Sequence, residues 1–309
     1  MAGEPPAWNW YVEWELPTSG HLFRKREVLC HCRSKYQDVE VAVLDHVGKV
    51  LILDGKIQSA QLDEHVYHEA LVHPAMILHG SPRRVLILGG GEGATAREVL
   101  RFKTVEEAVM VDIDEVVIEA SRKYLPEWHQ GAFDDGRLRL HIMDGLEYVE
   151  EALRRGERFD VIIADLADPT EGGPAYKLYV REFYEKVKGI LGEGGVFVTQ
   201  ATSLSYDITT HAVIRNTIAS VFKYTASYSV FIKSFDDEWS FVLASDYKDP
   251  KSLTPERIRE ALRGVVRGEN RFYDEESHAR MFNLPRYARD ILEREKRIAT
   301  LENPVYMPV

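Results

Sequence analysis

Val85-Leu86-Ile87-Leu88-Gly89-Gly90-Gly91-Glu92-Gly93 begins with consecutive apolar residues, stops in a cluster of glycines, and carries a single acid, Glu92, among them. Ala94-Thr95-Ala96-Arg97-Glu98-Val99-Leu100 follows, so the stretch predicts a buried strand, a tight turn and a helix. A nucleotide-binding βα unit begins in this way, with Gly89 and Gly91 letting the backbone come close to a nucleoside.

Working outward, the pattern alternates between strand and helix. Val85 to Leu88, Ala108 to Val111, Leu138 to Ile142, Phe159 to Ala164 and Gly195 to Thr199 read as strands with helical stretches after each. Such alternation predicts an α/β fold with a doubly wound, mostly parallel sheet, whose ligands lie beyond the carboxyl ends of the strands. A helix from about Asp207 to Val221 follows, then strand candidates Tyr224 to Ile232 and Trp239 to Ser245, close enough to pair as an antiparallel hairpin at the sheet edge. From Thr254 onward the chain reads as helical and charged, ending in an irregular tail. Upstream, Trp8 to about Gln61 alternates apolar and polar residues, as in Val39-Glu40-Val41-Ala42-Val43, with turns at Asp45-His46-Val47-Gly48 and Asp54-Gly55. This predicts a small antiparallel sheet too thin for a core of its own, packed on the rest of the chain or on another subunit. Between the two parts, Asp63-Glu64 opens a helix that Pro74 is expected to break or restart, leaving Tyr67 and His68 near the join.

Composition narrows the function. No apolar run approaches the roughly 18 residues of a membrane span, and Met1-Ala2-Gly3-Glu4-Pro5-Pro6 lacks a basic and apolar leader, which predicts a cytoplasmic protein. Cys30 and Cys32 lie one residue apart, with His21 and His31 nearby; we read them as two thiols in a reducing compartment rather than a metal site, and expect no metal. A net charge of −11 argues against nucleic acid or an anionic membrane as partner and suits a cationic ligand. The chain has five Gln and five Asn beside 39 basic and 50 acidic residues, a bias expected of a thermophilic source.

The residues at the carboxyl ends of the first four strands are Glu92, Asp112, Asp144 and Asp165. Any one of them alone is an ordinary helix cap or loop acid. All of them at matching positions would ring a single crevice. Asp112 stands about twenty residues past the glycines, where an acid can take both hydroxyls of a ribose. The third glycine of the dinucleotide fingerprint is missing and Glu92 is negative where a pyrophosphate would lie, which favours adenosine carrying a cationic group over NAD. Asp144-Gly145 is placed to accept from an adenine amino group, and is equally a good turn. Asp165-Leu166-Ala167-Asp168-Pro169 offers two carboxylates before a fixed turn. A primary ammonium must lose a proton before its lone pair can react, at a cost of about 4–5 kcal/mol near neutrality, and a carboxylate within reach can take that proton.

Gly89-Gly90-Gly91-Glu92-Gly93, Val111-Asp112-Ile113-Asp114-Glu115 and Asp165-Leu166-Ala167-Asp168-Pro169 at these separations resemble the polyamine aminopropyltransferases, the spermidine and spermine synthase family. The resemblance runs from about Tyr36-Gln37 to Ser245. It looks closest to the thermospermine synthase branch, through Asp54-Gly55-Lys56-Ile57-Gln58-Ser59-Ala60, Tyr67-His68-Glu69, Gly93-Ala94-Thr95-Ala96-Arg97-Glu98, Glu171-Gly172-Gly173-Pro174, and Ser234-Phe235 before Trp239. It implies a Rossmann-like, class I methyltransferase-like domain over residues 63–309, behind an N-terminal β-hairpin domain over residues 1–62. The implied donor substrate is decarboxylated S-adenosylmethionine, with no prosthetic group; the acceptor is a polyamine, most closely spermidine converted to thermospermine, and methylthioadenosine leaves. By the same match Gln37, Asp112, Asp144 and Gly145 would hold the nucleoside, with Pro174 near the adenine. Glu92, where spermidine synthases usually carry Asp, would hold the donor's ammonium. Asp165 would be the general base, Asp168 and Tyr67 would position the acceptor, and His68 and Gln200 would line the site. Ser234 stands near the place where spermidine synthases usually have a Tyr that contacts a diamine, which leaves room for a longer amine. Asp236, Asp237 and Glu238 either meet a distal ammonium or form a solvated turn. The resemblance also implies a homodimer or homotetramer. A spermidine synthase or broad-acceptor enzyme, an S-adenosylmethionine-dependent methyltransferase, and a non-catalytic polyamine sensor are the competing readings.

Overall fold

The computed structural model describes residues 9–16 and 18–307; Met1 to Pro6, read above for a leader, and Trp8 lie outside the described residues. The alternating N-terminal segment folds into β1 (Trp10–Leu16), β2 (Ser19–Arg33), β3 (Asp38–Leu44), β4 (Gly48–Leu53) and β5 (Lys56–Ala60), an antiparallel meander in sequential order. Strand periodicity sorts its side chains onto two faces. Val39, Val41 and Leu51 pack with Ala94, Val117, Leu125 and Trp128 of the following domain, while Ala42, Leu44, Val50 and Ile52 pack with Tyr11 and Phe235. The Trp128 indole N–H donates to Ser59 Oγ at 2.6 Å across the same junction. The small sheet therefore leans on the rest of the chain, as its thinness requires.

The second sheet consists of β6 (Arg84–Gly89), β7 (Glu107–Asp112), β8 (Leu138–Ile142), β9 (Phe159–Asp165), β10 (Leu191–Ser203), β11 (Tyr224–Ile232) and β12 (Asp237–Ser245), in the order β11-β12-β10-β9-β6-β7-β8. β12 is antiparallel to both neighbours, and the remaining pairs are parallel. Val85, Leu86, Ile87 and Leu88 are wholly buried, as a strand covered on both faces must be. Strand order reverses between β6 and β9, which puts the crevice of a doubly wound sheet above their carboxyl ends.

Helices α1 (Glu64–His79) and α2 (Ala94–Leu100) cover one face. α3 (Glu115–Tyr124) and α4 (Pro126–His129) meet the small sheet; α5 (Gly145–Arg155), α6 (Arg181–Ile190) and α7 (Ile208–Ala219) cover the other face. The charged C-terminal third forms α8 (Pro255–Gly264), α9 (Glu275–Phe282) and α10 (Arg286–Arg294). The segment before α9 is tied to α1: the buried Glu69 carboxylate accepts the backbone N–H groups of Arg271, Phe272 and Tyr273 at 2.7–2.8 Å.

Pro74 does not break the first helix, contrary to the expectation from sequence: α1 runs unbroken from Glu64 to His79. Proline removes the N–H that would bond to the carbonyl four residues back, that of Ala70. Here the Tyr228 hydroxyl of β11 donates to the Ala70 oxygen at 2.9 Å, so tertiary structure supplies the missing donor. Tyr228→Phe should lower stability by about 1–3 kcal/mol through the carbonyl left unpaired. In a Pro74→Ala background, where the substituted alanine restores the N–H, the same change should cost less. Denaturant unfolding of the four proteins measures the coupling, and simple additivity would refute this account of the unbroken helix.

Candidate active site

β6 and β9 run side by side with Gly89 opposite Asp165. A Cβ on Gly89, where φ is +81°, would fall 2.0 Å from the Asp165 carbonyl oxygen, so only glycine allows the two strand ends this close. The N–H of Gly90 donates to that same oxygen at 3.0 Å. At Gly91 a Cβ would meet the Asp112 carboxylate at 2.9 Å. The glycine run thus brings three acid-bearing strand ends together.

Both carboxylate oxygens of Asp165 are held: Oδ1 accepts from the Tyr67 hydroxyl at 2.8 Å, and Oδ2 from the Thr95 hydroxyl at 2.6 Å. Burial and the neighbouring Glu92 charge push its pKa up to about 6, against the opposing pull of His68 and of the two hydroxyls. Glu92 accepts from His68 Nε2 at 2.8 Å, and the other ring nitrogen of His68 lies 2.6 Å from the Glu64 carbonyl oxygen and 3.1 Å from Glu64 Oε2. Burial disfavours a charged ring, but the two carboxylates outweigh it and raise the His68 pKa to about 10. Atoms of His68, Glu92 and Asp165 lie within 4.8 Å of one another, a spacing that a divalent cation would also accept. His68 has no lone pair to offer a metal while its N–H points at Glu92, and the two carboxylates instead suit an ammonium group.

Along the sheet the acids stand in a row: Asp144 just beyond the edge strand β8, then Asp112, Glu92 and Asp165. Asp112 accepts from the Asp114 N–H at 2.9 Å, and burial together with the charges of Glu92, Asp114 and Asp165 pushes its pKa up to about 7. Gln37 reaches this strand end from the small sheet, donating to Asp114 Oδ2 at 2.9 Å beside Ser34, which donates to the same oxygen at 2.6 Å. Asp144 is exposed and caps α5, accepting from the Leu146 N–H at 2.7 Å, with Gly145 as the first helical residue. Pro174 is exposed at the start of the turn Ala175–Leu178.

Asp168 accepts from Gln200 Nε2 at 3.1 Å, and that amide also donates to the Leu166 carbonyl at 2.8 Å. Tyr179 joins them, accepting from Gln200 at 2.7 Å and donating to the Ala167 carbonyl at 3.1 Å, so the buried Gln200 underpins the whole Asp165–Asp168 loop. Ser234 is turned inward: its N–H and hydroxyl both donate to Asp63 at 2.8 Å. Its neighbour Phe235 stands edge-on to Tyr67, with ring centroids 6.3 Å apart, so this turn borders the site through its aromatic residue. A solvated acidic turn does not describe residues 236–238. Asp236 is exposed, but Asp237 is 4% exposed and Glu238 accepts from Ser229 at 2.9 Å, because β12 already begins at Asp237. Cys30 and Cys32 are free thiols with Sγ atoms 3.8 Å apart, as an alternating strand places them.

Sequence reading did not pick out Thr95, Glu64, Arg97 or Tyr179. Glu64 had a usable signal, since it stands one turn before His68 on a predicted helix. Thr95 and Tyr179 had none, because only the approach of β6 to β9 brings Thr95 to Asp165, and only the pairing of β10 with β9 brings Gln200 to Tyr179.

Known proteins share both halves of this arrangement. Residues 64–252 match the spermine/spermidine synthase domain, and residues 9–61 the spermidine synthase tetramerisation domain. The polyamine aminopropyltransferase of Aeropyrum pernix is 52% identical over 306 residues, covering 97% of this chain and 96% of its own. Polyamine aminopropyltransferase 2 of Hyperthermus butylicus is 48% identical over 302 residues, covering 98% of each. A crystal structure of spermidine synthase in complex with the transition state analogue AdoDATO superposes with a TM-score of 0.87 at 36% identity, over 94% of this chain and 97% of that one. Spermidine synthase from Thermotoga maritima gives a TM-score of 0.84 at 36% identity, over 93% and 94%. With a seven-stranded sheet, a row of strand-end acids and both sequence domains in agreement, the chain belongs to the spermine/spermidine synthase family of polyamine aminopropyltransferases.

Proposed function

We propose that this aminopropyltransferase moves the aminopropyl group of decarboxylated S-adenosylmethionine to the amine on the aminopropyl arm of spermidine, giving thermospermine and releasing methylthioadenosine. The observation that carries the transfer is the proximity of half-buried Glu92 and Asp165 at the switch point, beside Asp112. The donor, having lost its carboxylate, is a dication, and the acceptor is a polycation. An ion pair at about 4 Å gains about 4 kcal/mol at an effective dielectric constant of 20, before desolvation is set against it, so several acids are needed to hold both cations together.

In this reading Asp112 takes the ribose hydroxyls, with Gln37, Asp144, Gly145 and Pro174 around the nucleoside, and Glu92 takes the donor's ammonium. Asp168 and Tyr67 orient the acceptor, His68 and Gln200 line the site, and Asp165 removes a proton from the attacking ammonium. The freed nitrogen lone pair then forms a bond to the carbon beside the sulfonium. The carbon–sulfur bond breaks toward sulfur, which leaves as a neutral thioether without acid help. Spermidine as acceptor is favoured by Ser234, whose small side chain is withdrawn onto Asp63 where a Tyr would crowd a longer amine. The sparse amides and the Aeropyrum pernix relative support a thermophilic source, and no described helix is long and apolar enough to cross a membrane.

Incubation with decarboxylated donor and putrescine, cadaverine, agmatine, norspermidine or spermidine in turn, followed by product identification, should give thermospermine from spermidine as the main product. Spermine or spermidine alone would refute thermospermine as the product, and no product from any amine would refute the transfer. Asp165 must be ionised to act as base, so kcat/KM should climb through about pH 6 and level above it. Thr95→Val removes a donor that holds this pKa down, and should move the acid limb upward by about one pH unit. Asp165→Asn should lower kcat by about 10²–10⁴-fold while still binding donor.

Assembly follows from the small sheet. Trp14 and Leu22 are 60% and 59% exposed on the β1–β2 hairpin, within the match to a tetramerisation domain, and a homodimer or homotetramer would bury them. Trp14→Glu with Leu22→Glu should reduce the mass seen by light scattering to that of a smaller assembly, and an unchanged mass would exclude this hairpin as the contact.

A further inference from the structure

His68 does not stand alone. Its Nδ1 lies 2.6 Å from the Glu64 carbonyl and 3.1 Å from Glu64 Oε2, and its Nε2 lies 2.8 Å from Glu92 Oε1. A carbonyl oxygen and ionised carboxylates only accept hydrogen bonds, so a ring with both nitrogens aimed at them carries a proton on each. Glu64 is itself gripped. Arg97 Nη2 donates to Glu64 Oε2 at 2.9 Å, its Nη1 donates to the Trp128 carbonyl at 2.6 Å, and its Nε donates to Glu98 Oε1 at 2.8 Å. Glu98 Oε2 in turn accepts from Arg101 at 2.6 Å and lies 2.8 Å from His73 Nε2. Glu64, His68, Arg97 and Glu98 are all less than 10% exposed, so an alternating chain of charges runs from Glu92 through α1 into α2 with little water to screen it.

We propose that Glu64, fixed by Arg97, is a positioning residue for the transfer: it holds His68 as a two-proton donor, and His68 in turn clamps one oxygen of Glu92 so that the other faces the donor's ammonium. The inference rests on the reading of Glu92 as the ammonium site. A neutral ring keeping its Nδ1 proton on the Glu64 carbonyl would aim a lone pair at Glu92 and turn that carboxylate away. The charged and titratable groups around His68 are Glu64 and Tyr67 on α1, Glu92 on the turn after β6, and Asp165 at the end of β9, with Arg97 of α2 behind Glu64. The two carboxylates bonded to the ring hold its pKa at about 10 in spite of burial, so the native clamp stays closed across the neutral range.

Glu64→Gln keeps the size of the side chain and removes its charge, and Arg97→Lys loosens Glu64 without removing it. The donor KM is measured from pH 6 to 9 with saturating acceptor, and the native profile, in which Asp112 and Asp165 titrate near pH 7 and 6, is the reference. In Glu64→Gln the ratio to the native KM at the same pH should rise with pH by about tenfold as His68 loses its proton, with kcat following less steeply. Arg97→Lys should show a smaller rise in the same direction. Nitrogen NMR of ¹⁵N-histidine protein, with His68 assigned through His68→Gln, should report protons on both ring nitrogens of native His68 at pH 7.5 without any substrate, and loss of one in Glu64→Gln by pH 9. A neutral native ring, or a donor KM raised by one constant factor at all pH values, would overturn the clamp. Glu92→Gln, run in parallel, should raise the donor KM throughout. If it leaves that KM unaltered, the ammonium site itself is wrong and the clamp falls with it.

Discussion

Acids gathered at one end of a sheet, away from water, repel one another, and the site exists only because each has a donor aimed at it. Tyr67 and Thr95 hold Asp165, His68 holds Glu92, and the Asp114 N–H holds Asp112. The compensation is partial: Asp165 and Asp112 are left with pKa values near 6 and 7, so they are short of positive charge. In the proposed reading a dicationic donor and a polycationic acceptor supply it, and substrate recognition and the relief of this repulsion are one effect.

Helix α1 carries much of that arrangement. From a single element it sends Tyr67 to Asp165, His68 to Glu92, Glu64 to Arg97 and Glu69 to the C-terminal segment. A helix with that many buried polar duties must not shift, and it is secured at two places. Tyr228 supplies the donor that Pro74 lacks, and Glu69 ties the segment before α9 across it. The small sheet contributes at the Asp112 end of the row, where Gln37 and Ser34 brace Asp114, two residues on.

Much of this was legible in the residues. The apolar run ending at Gly89, the strand-end acids and the alternating N-terminal segment each follow a local rule of period or turn chemistry, and local rules can be read along a chain. What failed or went unseen depends on neighbours distant in sequence. Pro74 reads as a helix breaker until Tyr228, on another strand, is beside Ala70. Asp237 reads either as a contact for a distal ammonium or as part of a solvated turn, until the fold makes it the buried first residue of β12. Thr95 is one more small residue in a helical first turn until β6 and β9 meet in register at Gly89 and Asp165.

The central claim is that this crevice selects cations, and in particular a donor without its carboxylate, because Glu92 stands where that carboxylate would fall. Calorimetric titration of the enzyme without acceptor, with decarboxylated and with intact S-adenosylmethionine under one buffer, tests it most directly. The account predicts that the decarboxylated form binds at least about tenfold more tightly, a difference of about 1.4 kcal/mol. Equal or tighter binding of the intact cofactor would contradict it.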